Sequence, residues 1–174
     1  RDAKPQSCAV CFLFAFQNPA HEQQLTDALR QALPDLQVSA SSEVQPEFRE
    51  FERFSTTVLN AYLQPVMARY MSDLDSGLRE TAPNATFGLN QSSGGLMSVD
   101  RAQRIPVRTA LSGPAAGVVG AAYVAASAGH PNAITLDMGG TSADVALIRQ
   151  SRVPTVFSRE VGGFPIRMPM VDVE

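Results

Sequence analysis

The chain has 174 residues, with fourteen Lys and Arg against seventeen Asp and Glu, and its net charge of −3 leaves no electrostatic footprint for nucleic acid. Hydrophobic residues make up 44%, ordinary for a globular protein and enough for a core, and the length allows one domain or parts of two. The longest uncharged stretch, Thr109 to Leu136, is rich in Gly, Ala and Ser and holds two prolines, so it reads poorly as a membrane span; no basic amphipathic stretch points to a membrane surface.

Residues 1–20 lack the ordered regions of a signal peptide, which makes the cytoplasm the expected compartment. Residues 8–16 form a nearly continuous apolar run, the pattern of a strand covered on both faces. Cys8 and Cys11 lie within it. Residues three apart on a strand point to opposite faces, and no second cysteine pair completes a zinc site, so both read as small core residues. Asn18-Pro19 supplies an N-cap and a first-turn proline, and Leu25, Ala28, Leu29, Ala32 and Leu33 repeat at helical spacing. With a return strand over 36–40, this is a β-α-β unit.

Ser41 to Pro46 reads as a loop, with a helical segment starting near Pro46 and Phe48, Phe51 and Phe54 packing one face of it. A long helix is expected from Ser55 to about Arg79, capped by Ser55, Thr56 or Thr57 and kinked near Pro65. Its apolar stripe is Val58, Leu59, Tyr62, Leu63, Val66, Met67, Tyr70, Met71 and Leu74. Thr81 to Asn84 is a turn and the expected internal boundary. A short strand over 86–90 leads into Gln91-Ser-Ser-Gly-Gly95, a connector or the edge of a pocket.

Leu111-Ser-Gly-Pro-Ala-Ala-Gly-Val-Val-Gly-Ala-Ala122 reads as a helix capped by Ser112 or Gly113. Gly117 and Gly120 each cost about 1 kcal/mol relative to Ala in a helix, which makes sense where its backbone is closely approached. The helix start is a potential anion site. Ala133-Ile-Thr-Leu-Asp-Met-Gly-Gly-Thr-Ser-Ala-Asp-Val-Ala-Leu-Ile148 then places two apolar runs around a short glycine turn, which is a hairpin. The glycines either supply positive φ and nothing more, or let a ligand's phosphates reach the backbone N–H groups, with Asp137 holding a hard cation beside them. Further strands are expected at 153–157 and 166–173, joined through Gly162-Gly163. The sequence stops at Glu174 without a polar tail or helix cap, which reads as a cut through a larger protein.

Taken together, Phe16-Gln-Asn-Pro-Ala-His-Glu22, Ser41-Ser-Glu-Val-Gln-Pro-Glu-Phe-Arg-Glu-Phe-Glu-Arg53, Ser55-Thr-Thr-Val-Leu-Asn-Ala-Tyr62, Gln91-Ser-Ser-Gly-Gly-Leu96, Leu111 to Ala121, Asp137-Met-Gly-Gly-Thr-Ser-Ala-Asp-Val145 and Pro169-Met-Val-Asp-Val173 resemble the hydantoinase A/5-oxoprolinase family. That family includes ATP-dependent N-methylhydantoinase, 5-oxoprolinase, and related subunits of acetone and acetophenone carboxylases. The resemblance implies an α/β chain, a central fragment of an actin/sugar-kinase/Hsp70-like ATPase fold with ribonuclease-H-like subdomains. Residues 1–80 would end the N-terminal hydantoinase/oxoprolinase domain and carry a long connecting helix; 81–174 would begin the hydantoinase A ATPase domain, with the second phosphate hairpin.

The resemblance further implies ATP and Mg2+ as cofactors, with Gly139, Gly140, Thr141 and Ser142 as phosphate contacts. Asp137 would be the catalytic and magnesium-holding residue, and Asp144 a support for the turn. The implied activity is ATP-dependent opening of a cyclic amide through a phosphorylated intermediate. A ketone carboxylase subunit and a non-catalytic scaffold are the alternatives. Expected partners are a small cyclic amide substrate and a hydantoinase B-type subunit or domain, in an oligomer, with neither nucleic acid nor membrane. Ser93 stands where relatives often have Asn, and Ala143 where they have Thr. The family's first Asp-Gly-Gly-Thr hairpin and its later glycine-rich loop are not within these residues, so the chain alone is expected to hold only part of an ATP site.

Overall fold

In the computed structural model, which describes residues 4–140 and 142–174, the elements in chain order begin with β1 (Ser7–Val10), α1 (Ala20–Ala32), β2 (Gln37–Ala40), α2 (Ser41–Val44) and α3 (Glu50–Thr81). They continue with β3 (Leu89–Asn90), β4 (Leu96–Met97), α4 (Val99–Arg104), a 3-10 turn (Pro106–Thr109) and α5 (Ser112–Ser127). The last are β5 (Ala133–Met138), β6 (Ala143–Ile148), β7 (Thr155–Val156), β8 (Arg159–Val161), β9 (Phe164–Ile166) and β10 (Met170–Val171). Two units divide them: the chain up to Phe87 with Ser98–Val107 and Arg159–Arg167, and Gly88–Met97 with Arg108–Ser158 and Met168–Glu174.

In the first unit β1 and β2 pair in parallel, from Ser7 opposite Gln37 to Val10 opposite Ala40, with α1 between them in sequence. The expected β-α-β unit is present, and Asn18 Oδ1 accepts the Ala20 N–H at 3.1 Å. The strand does not run on to residue 16, however. After Val10 the chain turns, with Phe14 at φ 57° and Phe12, Leu13 and Phe14 exposed. The cause is a clamp on Phe12: buried Glu22 accepts its N–H at 2.9 Å, and buried Arg53 donates to its carbonyl at 2.8 Å. With both main-chain groups taken by side chains, Phe12 has nothing to offer a ladder.

Ser41 to Pro46 is also more ordered than a loop, because Ser41–Val44 forms the single helical turn α2. The two helical segments expected beyond it are one helix of 32 residues, α3, with Pro65 inside. Ser55, Thr56 and Thr57 therefore do not cap. Thr56 and Thr57 donate back to Glu52 O and Arg53 O, each at 2.7 Å, while Ser55 donates to Pro165 O at 2.8 Å.

The expected apolar stripe of α3 is only partly inside: Met71 is buried, and Leu59, Leu63, Met67 and Leu74 are half-buried. Val58, Tyr62, Val66 and Tyr70 are exposed, whereas Thr56, Thr57, Asn60 and Gln64 are buried. Hydrogen bonds select that face. Asn60 Nδ2 donates to Ser39 Oγ at 2.9 Å and Arg104 O at 3.0 Å, its Oδ1 accepts Val107 N–H at 3.2 Å, and Ser39 donates on to Gln64 Oε1 at 2.8 Å. A buried polar group costs little when every partner is supplied, so this network competes successfully with apolar burial. Phe48 and Phe51 are likewise exposed rather than packed; the guanidinium groups of Arg49 and Arg167 lie over the Phe48 ring.

In the second unit, β3 and β4 pair across Gln91–Gly95, so that glycine stretch is a hairpin turn. Gly94 has φ 81°, and a Cβ there would sit 3.0 Å from Val119 Cγ2, which accounts for this glycine twice over. Helix α5 buries Ala115, Val118 and Ala122 against Ala146 and Ile148 of β6 and against Val171 and Val173. It is not capped by Ser112 or Gly113: Leu111 occupies the N-cap position at φ 57°, and no side chain caps it. The expected close approach to Gly117 and Gly120 is also not met among the described residues, where nothing lies within 4 Å of a Cβ at either. Near the end, Gly162-Gly163 turns the β8–β9 hairpin of the first unit instead of joining two longer strands. Of those expected strands, 153–157 is reduced to β7 and 166–173 to β10, paired to each other.

The cysteines are half-buried and free. Burial, and secondly the charge of Glu22, push the Cys11 thiol up to about 11, so it stays protonated and inert. Among the described residues no group of three or more His, Cys, Asp or Glu is arranged for a metal, and no helix is long and apolar enough to cross a membrane.

Candidate functional site

The hairpin expected at 133–148 is formed in full register. β5 and β6 pair from Ala133 opposite Ile148 to Met138 opposite Ala143, leaving residues 139–142 as the turn. Successive residues of a strand face opposite sides, so Ala133, Thr135 and Asp137 share one face with Asp144, Ala146 and Ile148. That face is the one α5 covers, since Ala146 and Ile148 belong to its core. Thr135 ties the strands together there, its Oγ1 accepting the Ala146 N–H at 3.1 Å.

Counting outward from the turn, Asp137 and Asp144 are direct cross-strand partners. Pro114 and Gly117, from the first turns of α5, line the same groove as these two carboxylates. Three features that favour a phosphate–cation pair are thus gathered at one end of the hairpin: a glycine turn, two hard oxygen donors and a helix start. The sequence marks each separately. Their meeting, and the pairing of Asp144 with Asp137, require the register, although equal spacing from the turn already carries that signal.

Gly139, Gly140 and Ser142 are exposed at the turn, where Gly139 N–H donates to Ser142 O at 2.9 Å. Thr141 lies outside the described residues. The two glycines are informative because the fold does not require them. Neither has positive φ, and among the described residues a Cβ at Gly140 would meet nothing within 4 Å and one at Gly139 would meet Ser142 O at 3.8 Å. The reading in which glycine merely supplies positive φ is therefore not supported. A bare backbone without conformational need is what close approach by a phosphate calls for, and the oxygen donors suit a magnesium ion beside it.

The sequence profile of the hydantoinase/oxoprolinase family matches residues 53–174. The chain belongs to that family. Caprolactamase subunit alpha of Pseudomonas jessenii is 39% identical over 176 residues, covering 100% of this chain and 25% of that subunit. The crystal structure of ATP-dependent caprolactamase from the same organism superposes with a TM-score of 0.81 at 37% identity, over 100% of this chain and 25% of its own. A nucleotide-free structure described under the mechanism of ATP-dependent acetone carboxylation gives 0.83 at 26% identity, over 99% and 25%. The chain thus spans about a quarter of the length of these relatives. Its mixed α/β fold is shared with ATP-dependent enzymes of the family.

Proposed function

We propose that this chain is part of an ATP-dependent hydrolase that opens a cyclic amide through a phosphorylated intermediate, and that β5–β6 is one of its phosphate hairpins. The Gly139 N–H closes the turn onto Ser142 O, and the remaining N–H groups of residues 139–142 would bind phosphate oxygens, while Asp137 would hold magnesium and orient the reacting group. The supporting observation is that Gly139 and Gly140 answer neither a positive φ nor a crowded Cβ. Bound Mg-ATP would supply phosphorylation of the amide oxygen, making the carbonyl carbon electrophilic enough for water to add. The C–N bond then breaks with the ring nitrogen taking up a proton, and hydrolysis of the resulting acyl phosphate leaves the carboxylate and free phosphate. Preorganised N–H donors contribute by stabilising charge on phosphate without reorganising during reaction.

This reading takes the two units as parts of an actin/sugar-kinase/Hsp70-like ATPase with ribonuclease-H-like subdomains, working in the cytoplasm beside a hydantoinase B-type subunit. Family membership and the caprolactamase likeness support a lactam or related cyclic amide as substrate. The likeness to an acetone carboxylation enzyme favours one competing reading, a ketone carboxylase subunit. ATP turnover by the natural polypeptide carrying these residues, with caprolactam, 5-oxoproline, hydantoin, or acetone plus bicarbonate, separates the two. Stimulation by a cyclic amide, abolished by Asp137→Ala, is expected; no stimulation by any of them would sink both. Calorimetry of residues 1–174 alone with Mg-ATP should give weak binding or none, because only one side of the clamp is within them.

A further inference from the structure

The outer side of α3 has no role within the first unit. Val58, Tyr62, Val66 and Tyr70 succeed one another there at intervals of four, 54%, 75%, 68% and 56% exposed. At 1.5 Å per residue they make a ridge about 18 Å long. Asn60 and Gln64 lie on the opposite side of the helix, which faces β2 and α4. From Phe54 to Ala68, fifteen residues in a row, α3 carries no charge. A helix side that is to stay in water normally carries charged residues, and this one has none over its central turns.

Charge returns only at the end of the ridge. Arg69 and Asp73, two turns beyond Tyr62 and Val66, are exposed at the spacing of an i,i+4 pair. Neither has an ion pair or side-chain hydrogen bond among the described residues. Asp75 and Arg79, at the same spacing on another side of α3, do pair, at 2.7 Å. An uncharged centre holding aromatic residues, with unpaired charges at its edge, is the composition of a protein–protein interface. Tyrosine fits such a ridge better than leucine, because its ring can be covered by a partner while its hydroxyl tolerates water before assembly.

The ridge also selects what covers it. Residues four apart form the i±4n row of a helix surface, which packs into the matching groove of a second helix crossing at about −50°. A strand gains no ladder here, because the main chain of α3 is consumed within its own helix. The sheet on which α3 lies cannot supply the cover either, since β1 and β2 are on the other side.

We propose that this ridge docks an amphipathic helix from a separate subunit. The apolar face of that helix meets Val58, Tyr62, Val66 and Tyr70, and an acidic and a basic side chain at one end of it pair with Arg69 and Asp73. The inference rests on the reading above in which the chain works beside a hydantoinase B-type subunit, and it adds the surface that receives that subunit.

Photo-cross-linking in the natural assembly tests it. With p-benzoylphenylalanine at position 62 of the natural polypeptide, assembled with its hydantoinase B-type subunit, cross-links to a helix of that subunit are expected. The same group at position 31, on the exposed side of α1, should give none. Cross-links from position 62 to a second copy, or within the same polypeptide, would overturn the proposal by naming another occupant. Tyr62→Lys combined with Val66→Glu gives an independent reading, since both new residues are good helix formers. The pair should weaken association of the two subunits at least about 30-fold, the scale of a central anchor, and leave the unfolding midpoint of the natural polypeptide alone unchanged. Unchanged affinity, or a lower midpoint of the polypeptide alone, would overturn the proposal. If the parent subunits do not associate at all, the partner reading falls and takes this proposal with it. If they associate and neither readout responds, the ridge proposal alone falls, and cyclic-amide-stimulated ATP turnover is judged separately.

Discussion

Asp137 stands directly opposite Asp144 on the α5-covered face of the β5–β6 hairpin. Like charges on one rung of an antiparallel ladder destabilise it by roughly 0.2–1 kcal/mol. Asp144→Asn should therefore raise the urea midpoint of the chain in low salt without added cation, and the gain should shrink at high salt as the repulsion is screened. A midpoint that falls would mean the Asp144 carboxylate has a favourable partner instead.

That pairing also marks where sequence reading succeeded and where it stopped. The hairpin, the β-α-β unit and α5 were legible because each is a local pattern: alternating apolar residues around glycines, Asn-Pro before a helical period, Gly-Pro inside a first turn. The burial of α3 was not legible. Its apolar residues suggested one face, while Asn60 and Gln64 fixed another through Ser39, Arg104 and Val107, between 21 and 47 residues away. The clamp on Phe12, reached from Arg53 across 41 residues, ended β1 early for the same reason. Periodicity reports where apolar surface is available and carries no information on which polar groups will find partners.

The polar residues on the buried face of α3 give a paired prediction. Asn60→Ala leaves Val107 N–H, Arg104 O and Ser39 Oγ short of partners in a buried region, and unsatisfied groups of this kind cost about 1–3 kcal/mol each before relaxation. A net loss of about 2–4 kcal/mol is expected. Tyr62→Ala, on the exposed side two residues along, should stay within about 0.5 kcal/mol of the parent. Denaturant titration of both variants decides it; if Tyr62→Ala proves the costlier, the apolar stripe is the buried face after all.

Glu22 predicts a pH dependence. Burial alone would raise its pKa, but hydrogen bonds from Ser42, Ser41 and the Phe12 amide outweigh burial and hold the carboxyl below its ordinary value of 4.5. A depressed folded pKa means that the contribution to stability is complete above the ordinary value and is lost as pH falls through the folded one. Glu22→Gln should thus destabilise the chain at pH 7 by about 1.5–3 kcal/mol, the scale of hydrogen bonds to a charged group. The gap from the parent should close progressively below pH 4.5. A gap unchanged between neutral pH and pH 3 would show that the charge on Glu22 is not what stabilises the Phe12 turn.

Two glycines of the second unit should respond differently to the same added methyl. Gly94 combines φ 81° with a 3.0 Å approach to Val119 Cγ2, so Gly94→Ala meets both conformational strain and a collision. A loss above about 1 kcal/mol is expected. Gly140 has neither constraint, and Gly140→Ala should leave stability within about 0.5 kcal/mol. If the turn binds phosphate, that variant of the natural polypeptide should keep its unfolding midpoint and lose ATP turnover, because the methyl projects where the phosphate oxygens must approach. Loss of turnover together with stability would assign Gly140 to the fold, and retention of both would remove the turn from the site.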